Sequence, residues 1–255
     1  MLFVVDAGNT QITLGVYEGS ELRSHWRLAT DRERTADEYG VLCRQLFAAS
    51  AVAGDSIRAA ILSSVVPPLT PVLADMIESV FGVTPLHVEP GIKTGMPILY
   101  ENPLEVGADR IVNAVAAFAR TRCATLVVDF GTATTFDVIS TRGEYVGGTI
   151  APGPTISSEA LFARAARLPR VEIRRPPHVI GRNTVHSLQS GLYFGYRSLV
   201  EGMVRRLRAE MEPDTKVIAT GGLCEVVATG LECVDIIDPL LTLEGLRMLH
   251  EKNSA

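Results

Sequence analysis

Two short stretches of this chain carry the same pattern, and the repetition limits what the chain can fold into. In the middle, Leu126-Val127-Val128-Asp129 runs into Phe130-Gly131-Thr132-Ala133-Thr134-Thr135-Phe136-Asp137. At the N-terminus, Phe3-Val4-Val5-Asp6 runs into Ala7-Gly8-Asn9-Thr10. A run of consecutive apolar residues makes a buried strand. The glycine allows a tight turn, and the hydroxyls and backbone N–H groups after it can bond phosphoryl oxygens. An Asp at the strand end can hold a cation or its waters beside those phosphates. The residues beyond each turn, Gln11–Tyr17 and Thr134–Ile139, are β-rich and too short for a helix, so each copy is expected to be a hairpin. Neither G-x-x-x-x-G-K-[ST] nor a G-x-G-x-x-G opening a helix is present, which excludes the loop-then-helix phosphate sites. One copy alone could be an ordinary Asp-Gly hairpin closure. Two copies in strand context point to phosphate binding.

A duplicated unit in 255 residues, with 47% hydrophobic content, suits two domains. They are expected at residues 1–120 and 121–255. A net charge of −5 argues against nucleic acid as a main ligand, which requires clustered positive charge. The N-terminus has no basic leader and no cleavage site, and no apolar run approaches the roughly 18 residues of a membrane span. A cytoplasmic protein is expected. Cys43, Cys123, Cys224 and Cys233 are scattered without a C-x-x-C, so they predict neither a zinc site nor a disulfide framework.

In chain order, the first half reads as a hairpin over Leu2–Tyr17, a third strand over Glu21–Thr30, and a helix opened by the capping box Thr35-Ala36-Asp37-Glu38. A strand over Arg58–Val66, a helix over about Pro71–Phe81 and a short strand at Pro85–Val88 follow. This order suits a mixed sheet with helices on it, rather than alternating βαβ units. Between Glu89 and Arg110 the periodicity vanishes, and a loop of that length in a compact domain points to function. A helix starting near Gly107 would place Asp109 and Arg110 in its first turn, where free N–H groups and the helix dipole favour anions. The dipole alone would also favour an Asp there.

The second half adds a third strand over Glu144–Ile150 containing Gly147-Gly148, a turn at Ala151–Pro154 and a helix over about Ile156–Ala166. Glycines in a strand mark close approach of a ligand or of backbone. A basic segment, Leu168–Gly181, precedes a long helix over about Val185–Met211, capped by Asn183-Thr184, with Gly191 and Gly195 expected to allow close packing. Its apolar stripe fits either a core helix or a dimer seam. A strand over Lys216–Thr220 ends in Thr220-Gly221-Gly222, a turn that could lie against a base or ribose. An amphipathic helix on Leu240, Leu243, Leu246 and Leu249 closes the chain.

The paired Asp-Gly hairpins with a late Thr-Gly-Gly resemble the actin-like ATPase and sugar kinase superfamily. Within it, the chain is similar to type III pantothenate kinases over essentially its whole length. The carrying motifs are Asp6-Ala7-Gly8-Asn9-Thr10, Gly107-Ala108-Asp109-Arg110, Asp129 to Asp137, Gly147 to Gly153, Ile180 to Thr184, and Thr220-Gly221-Gly222, in the family's order. The resemblance implies an α/β protein of two RNase H-like domains, each a mixed sheet flanked by helices, with a nucleotide cleft between them. It also implies transfer of the ATP γ-phosphoryl group to the terminal hydroxyl of pantothenate, the first step towards coenzyme A.

By position, Asp6, Ala7, Gly8, Asn9 and Thr10 would hold the triphosphate, with Asp6 holding Mg2+, directly or through water. Thr132 would meet the phosphates from the other domain. Asp129 resembles the ligand of a monovalent cation, K+ or NH4+. Tyr100, Gly107, Ala108, Asp109 and Arg110 match the pantothenate site, with Asp109 as base. Thr184 matches a further pantothenate contact, and since the family is homodimeric the neighbouring subunit could supply it. A non-catalytic nucleotide-binding regulator would be expected to lack Asp109 or a phosphate residue. A superfamily kinase for another small acceptor would have no reason to carry Gly-Ala-Asp-Arg.

Overall fold

The computed structural model describes residues 1–50, 52–165 and 167–254. The described chain forms two compact units, one of Met1–Gly95, Glu101–Ala116 and Thr242–Ala255, the other of Met96–Tyr100 and Ala117–Leu241. The sequence boundary at residue 120 differs from this division, because the last helix belongs to the first unit and a five-residue piece of the long loop belongs to the second.

In the first unit, β1 (Leu2–Ala7), β2 (Gln11–Glu18), β3 (Glu21–Ala29), β4 (Ala59–Ser64) and β5 (Leu86–His87) form a sheet in the order β3-β2-β1-β4-β5. The first three strands are antiparallel, whereas β4 runs parallel to β1 and β5 parallel to β4. Parallel neighbours need crossovers, and α1 (Ala36–Ala49) and α2 (Leu69–Phe81) supply them. Strand alternation decides the face they cover: Phe3, Val5, Leu14 and Leu62 meet Tyr39, Cys43 and Phe47 of α1 and Leu73 and Ile77 of α2. Phe47 meets Phe3 edge-to-face at 5.6 Å and Phe81 in a tilted arrangement at 4.9 Å between ring centroids, contacts worth about 0.5–1.5 kcal/mol each beyond the area they bury. The capping box is present at α1, with the Glu38 N–H donating to the Thr35 hydroxyl and the Thr35 N–H donating to the Glu38 carboxylate.

The other face of this sheet meets α7 (Leu241–Ser254), whose Leu243 methyl lies 3.0 Å from where a side chain on Gly15 would begin. Helix α7 also packs on α3 (Ala108–Thr121), where Thr242 donates to Asn113 at 2.7 Å. Gly245 lies so close to α3 that a Cβ there would fall 2.3 Å from the Val112 carbonyl oxygen.

The second unit repeats the connectivity. β6 (Thr125–Phe130), β7 (Ala133–Ile139), β8 (Tyr145–Pro152), β9 (Lys216–Thr220) and β10 (Ile236–Ile237) lie in the order β10-β9-β6-β7-β8. Strands β6 to β8 are antiparallel, and β9 and β10 are added in parallel. Leu126, Val128 and Phe130 pack against Val200 and Val204 of α5 (Thr184–Arg208) and Cys224 and Val227 of α6 (Cys224–Ala228). Strands buried on both faces explain the continuous apolar runs in the sequence.

Several elements depart from the periodicity. Strand β8 continues through Ala151-Pro152, read as a turn, because Pro152 sits at the strand end where it need not donate. Helix α4 runs Pro154–Arg164, with Pro at its first position, where its missing N–H costs nothing. Ala166, the expected end of that helix, and Ala255, the end of the second expected domain, lie outside the described residues. Helix α5 stops at Arg208 rather than Met211, and among the described residues nothing lies within 4 Å of a Cβ added at Gly191 or Gly195, so no close packing is seen there. Cys43 is buried, which pushes its thiol up to about 12 and makes it an inert core residue. Among the described residues, no helix is long and apolar enough to cross a membrane.

Replacing Gly245 with Ala should drive α7 off α3 and lower stability by roughly 1–3 kcal/mol, the usual cost of overpacking. Urea denaturation would measure it, and an unchanged midpoint would show that the contact relaxes freely.

Candidate active site

Pairing on both sides of β1 continues through Ala7, which sets Asp6 in register with Thr13 of β2 and Ser63 of β4. Alternation sends Val5 and Ala7 into the core and puts Asp6 and Ser63 on the other face. The Ser63 hydroxyl is buried without a hydrogen-bond partner among the described residues. The turn that follows is braced by the end of β3. The Gly8 N–H donates to the Gln11 carbonyl at 3.0 Å, the Thr30 hydroxyl to the Gly8 carbonyl at 2.6 Å, and the Thr30 N–H to the Thr10 carbonyl at 3.0 Å. Arg32 donates to the Asn9 side chain at 2.9 Å.

The second hairpin is built the same way. Asp129 lies in register with Thr135 of β7 and Thr220 of β9, and Thr220 is again a buried hydroxyl without a partner among the described residues. The turn, Gly131-Thr132, closes with the Gly131 N–H on the Ala133 carbonyl at 3.0 Å. Two glycines from later in the chain press onto it. Gly153 donates its N–H to the Thr132 carbonyl at 2.9 Å, and a Cβ there would sit 2.4 Å from the Gly131 and Thr132 oxygens. Gly221, at φ +91°, leaves no room for a Cβ, which would fall 2.3 Å from the Asp129 carboxylate. The Thr-Gly-Gly turn therefore backs Asp129, a placement the sequence reading did not assign.

The turn glycines themselves differ from expectation. Neither Gly8 nor Gly131 is among the positive-φ residues, so neither is needed for a left-handed turn. A Cβ on Gly131 would meet only ordinary contacts, at 3.5 Å from the Ala133 oxygen and 3.7 Å from Asp129. Packing within the chain does not require glycine at that position, which leaves its open backbone available to a ligand.

Helix α3 begins where Gly107 accepts from the Arg110 N–H at 3.1 Å and the Ile111 N–H at 3.3 Å. The Asp109 carboxylate folds back over this turn, accepting the Arg110 N–H at 2.8 Å. It fills space that a side chain on Gly107 would need, since a Cβ there would lie 2.5 Å from Oδ1. Burial pushes the Asp109 carboxyl above its ordinary range, and the Arg110 N–H and guanidinium only partly oppose this. Arg110 is itself buried.

The remaining expected residues lie in the second unit. Tyr100 ends the segment Met96–Tyr100 and packs against Tyr145 and Gly147 of β8. Thr184 is the exposed first residue of α5, after Asn183, whose side chain accepts the His186 N–H at 2.8 Å. Gly181 lies against that same first turn, with a hypothetical Cβ 2.4 Å from the Ser187 nitrogen. Sequence reading missed the Ser63 hydroxyl, and for Thr220, Gly221 and Gly153, which it read as motif or turn residues, it missed their placement beside Asp129 and the hairpin turn. Only register could have found them, because each lies far along the chain from the Asp or turn it faces.

The donors fit the ions that a phosphoryl-transfer site requires. Mg2+ keeps several waters and binds through one or two carboxylates plus substrate phosphates, so a lone Asp6 at the strand end suffices. Around Asp129 the donors are a carboxylate and a neutral hydroxyl, all hard oxygen.

A family model described as type III pantothenate kinase matches residues 2–206. The type III pantothenate kinase of Myxococcus xanthus is 55% identical over 255 residues, covering 100% of both chains. Among solved structures, the activator of 2-hydroxyisocaproyl-CoA dehydratase from Clostridium difficile, with bound ADPNP, superposes with a TM-score of 0.60 at 8% identity, over 99% of this chain and 95% of that one. A ROK family glucokinase from Streptomyces griseus, in complex with glucose and AMPPNP, gives 0.52 at 13% identity, over 99% of each chain. At such identities these two show the fold alone.

The raised Asp109 carboxyl has a consequence for stability. Its folded state holds a proton more tightly than the unfolded chain, so stability falls as pH rises from the free-Asp range through the folded value. Asp109→Asn should therefore melt higher than wild type at pH 7, and the gain should vanish in acid near pH 4. A mutant less stable at pH 7 would reverse the sign assigned to that burial.

Proposed function

The chain belongs to the type III pantothenate kinase family and catalyses ATP-dependent phosphorylation of pantothenate in coenzyme A biosynthesis, and from that premise we propose how its residues divide the work. Asp109 is the base. Asp6, Ala7, Gly8, Asn9 and Thr10 hold the triphosphate, with Asp6 carrying Mg2+ directly or through water. Thr132 contacts the phosphates, and Asp129 holds K+ or NH4+. Tyr100, Gly107, Ala108, Arg110 and Thr184 bind pantothenate.

The observation that carries this reading is the doubled strand-end carboxylate, each flanked in register by a buried hydroxyl without a partner among the described residues. Two such ends, with open turn backbone beside them, are what a polyphosphate and its cations need. Phosphoryl transfer passes through a loose transition state, so positioning and charge neutralisation carry most of the catalysis. Mg2+ held at Asp6 would supply charge neutralisation to the phosphates during transfer.

In the reaction, the bond from the γ-phosphorus to the bridging oxygen breaks to leave ADP. The pantothenate hydroxyl oxygen forms the new bond, and its proton passes to Asp109. An ordinary Asp near pKa 3.9 is a weak base, and the upward shift from burial improves Asp109 as a late proton acceptor. Its hydrogen bond to the Arg110 N–H fixes the carboxylate in the first turn of α3.

We further propose a homodimer that forms at the start of α5. Val179, Ile180 and Val185 are 64%, 81% and 40% exposed around Thr184, an apolar surface on which a second copy would bring Thr184 to its neighbour's substrate.

Steady-state assays with Mg2+, in potassium and then sodium, test the assignments. Asp109→Asn should lower kcat by roughly 100-fold or more with little change in the KM for ATP. Near wild-type turnover would remove it as base. Asp129→Asn should abolish the preference for potassium over sodium, and a retained preference would move the cation elsewhere.

A further inference from the structure

In the second unit, a buried carboxyl group has no part in the phosphoryl transfer just described. Asp137 on β7 accepts the Tyr145 hydroxyl at 2.7 Å and the Thr135 hydroxyl at 3.2 Å. Both Asp137 and Tyr145 are 0% exposed. Burying polar groups this deeply is tolerated only with hydrogen bonds, and here the bonds lock one tyrosine ring in place.

Tyr145 also holds the substrate-side loop through its backbone. Its N–H donates to the Pro97 carbonyl and its carbonyl accepts the Leu99 N–H, both at 2.8 Å, so that Ile98 pairs with it in parallel. Directly after this clamp comes Tyr100. Its ring centroid lies 6.4 Å from that of Tyr145, and its ring carbons lie 3.8 Å from where a Gly147 side chain would begin. Gly147 has φ +149°, and the β7–β8 register slips between Val138 and Ile139, leaving Val146 as an extra residue. Bulges of this kind re-aim side chains beside active sites. The bulge and the bare glycine form a seat for the Tyr100 ring, and the Asp137–Tyr145 bond fixes one wall of that seat.

We propose that Asp137 and Tyr145 are positioning residues for pantothenate, with Asp137 anchoring Tyr145 and Tyr145 setting the place of Tyr100. This rests on the assignment of Tyr100 to pantothenate binding. Neither residue touches ATP in this scheme, so their loss separates the two substrates.

The test is a double-mutant cycle on the purified enzyme, with KM measured for each substrate. Tyr145→Phe keeps the ring and removes the bond. It should raise the KM for pantothenate about fivefold or more, within the range of coupling between contacting residues, and leave the KM for ATP within about twofold. Asp137→Asn should act in the same direction, and if that variant does not fold, Tyr145→Phe carries the test alone. In a Tyr100→Ala background, adding Tyr145→Phe should change little, because the residue through which it acts is gone.

A wild-type pantothenate KM in Tyr145→Phe would overturn the proposal. So would equal rises for pantothenate and ATP, or effects that simply multiply in the double mutant, since these mark a general structural role. If Tyr100→Ala itself binds pantothenate normally, the Tyr100 assignment fails and takes the proposal with it. If Tyr100→Ala is impaired while Tyr145→Phe is silent, only the positioning role fails.

Discussion

A central strand that is hydrogen-bonded along both edges and covered on both faces can show a charge to solvent only where it stops. Strands β1 and β6 are such strands, each with an antiparallel neighbour on one side and a parallel one on the other. Their apolar residues must fill two cores, so polar residues collect in the last positions. The parallel neighbour then fixes what stands beside each carboxylate: Ser63 beside Asp6 and Thr220 beside Asp129. The setting of both carboxylates follows from one topological rule, and a turn follows each of them.

The duplication was the most legible feature of the sequence, because a run of at least three apolar residues followed by a carboxylate and a glycine has few alternatives. The capping box at Thr35 and Glu38 was equally readable, since its partners are three residues apart. Features that depend on distant partners were not. Gly153 and Gly221 read locally as turn residues, and only the folded chain brings them against the hairpin at residues 129–132. Helix α7 reads as an amphipathic continuation of the second half, yet Leu243 and Gly245 pack on β2 and α3, because apolar periodicity says that a face is buried without saying against what. Gly191 and Gly195 suggested close packing, but among the described residues none lies within 4 Å of a Cβ at either position.

The candidate site divides along the same line. Asp6, Asp129 and Asp109 stood out as candidates because each sits at the start or end of an element, where the local pattern is readable. The environment of Asp109 was not readable, because the space over Gly107 and the burial that raises its carboxyl arise only from folding. Asp137 shows the converse case. It lies on the same face as Asp129, but it pairs with Val127 inside the sheet rather than at a strand end, so its carboxylate meets Tyr145 and Thr135.

The segment Pro97–Leu99 lies along β8, the outer strand of the second sheet. An uncovered outer strand offers a row of unpaired donors and acceptors to any other chain it meets. The segment that ends in Tyr100 therefore occupies the edge groups of Tyr145, the first residue of that strand. Changes that loosen this segment would free the Tyr145 N–H and carbonyl at the start of the sheet edge, so the setting of Tyr100 and the exposure of that edge are tied to one stretch of backbone.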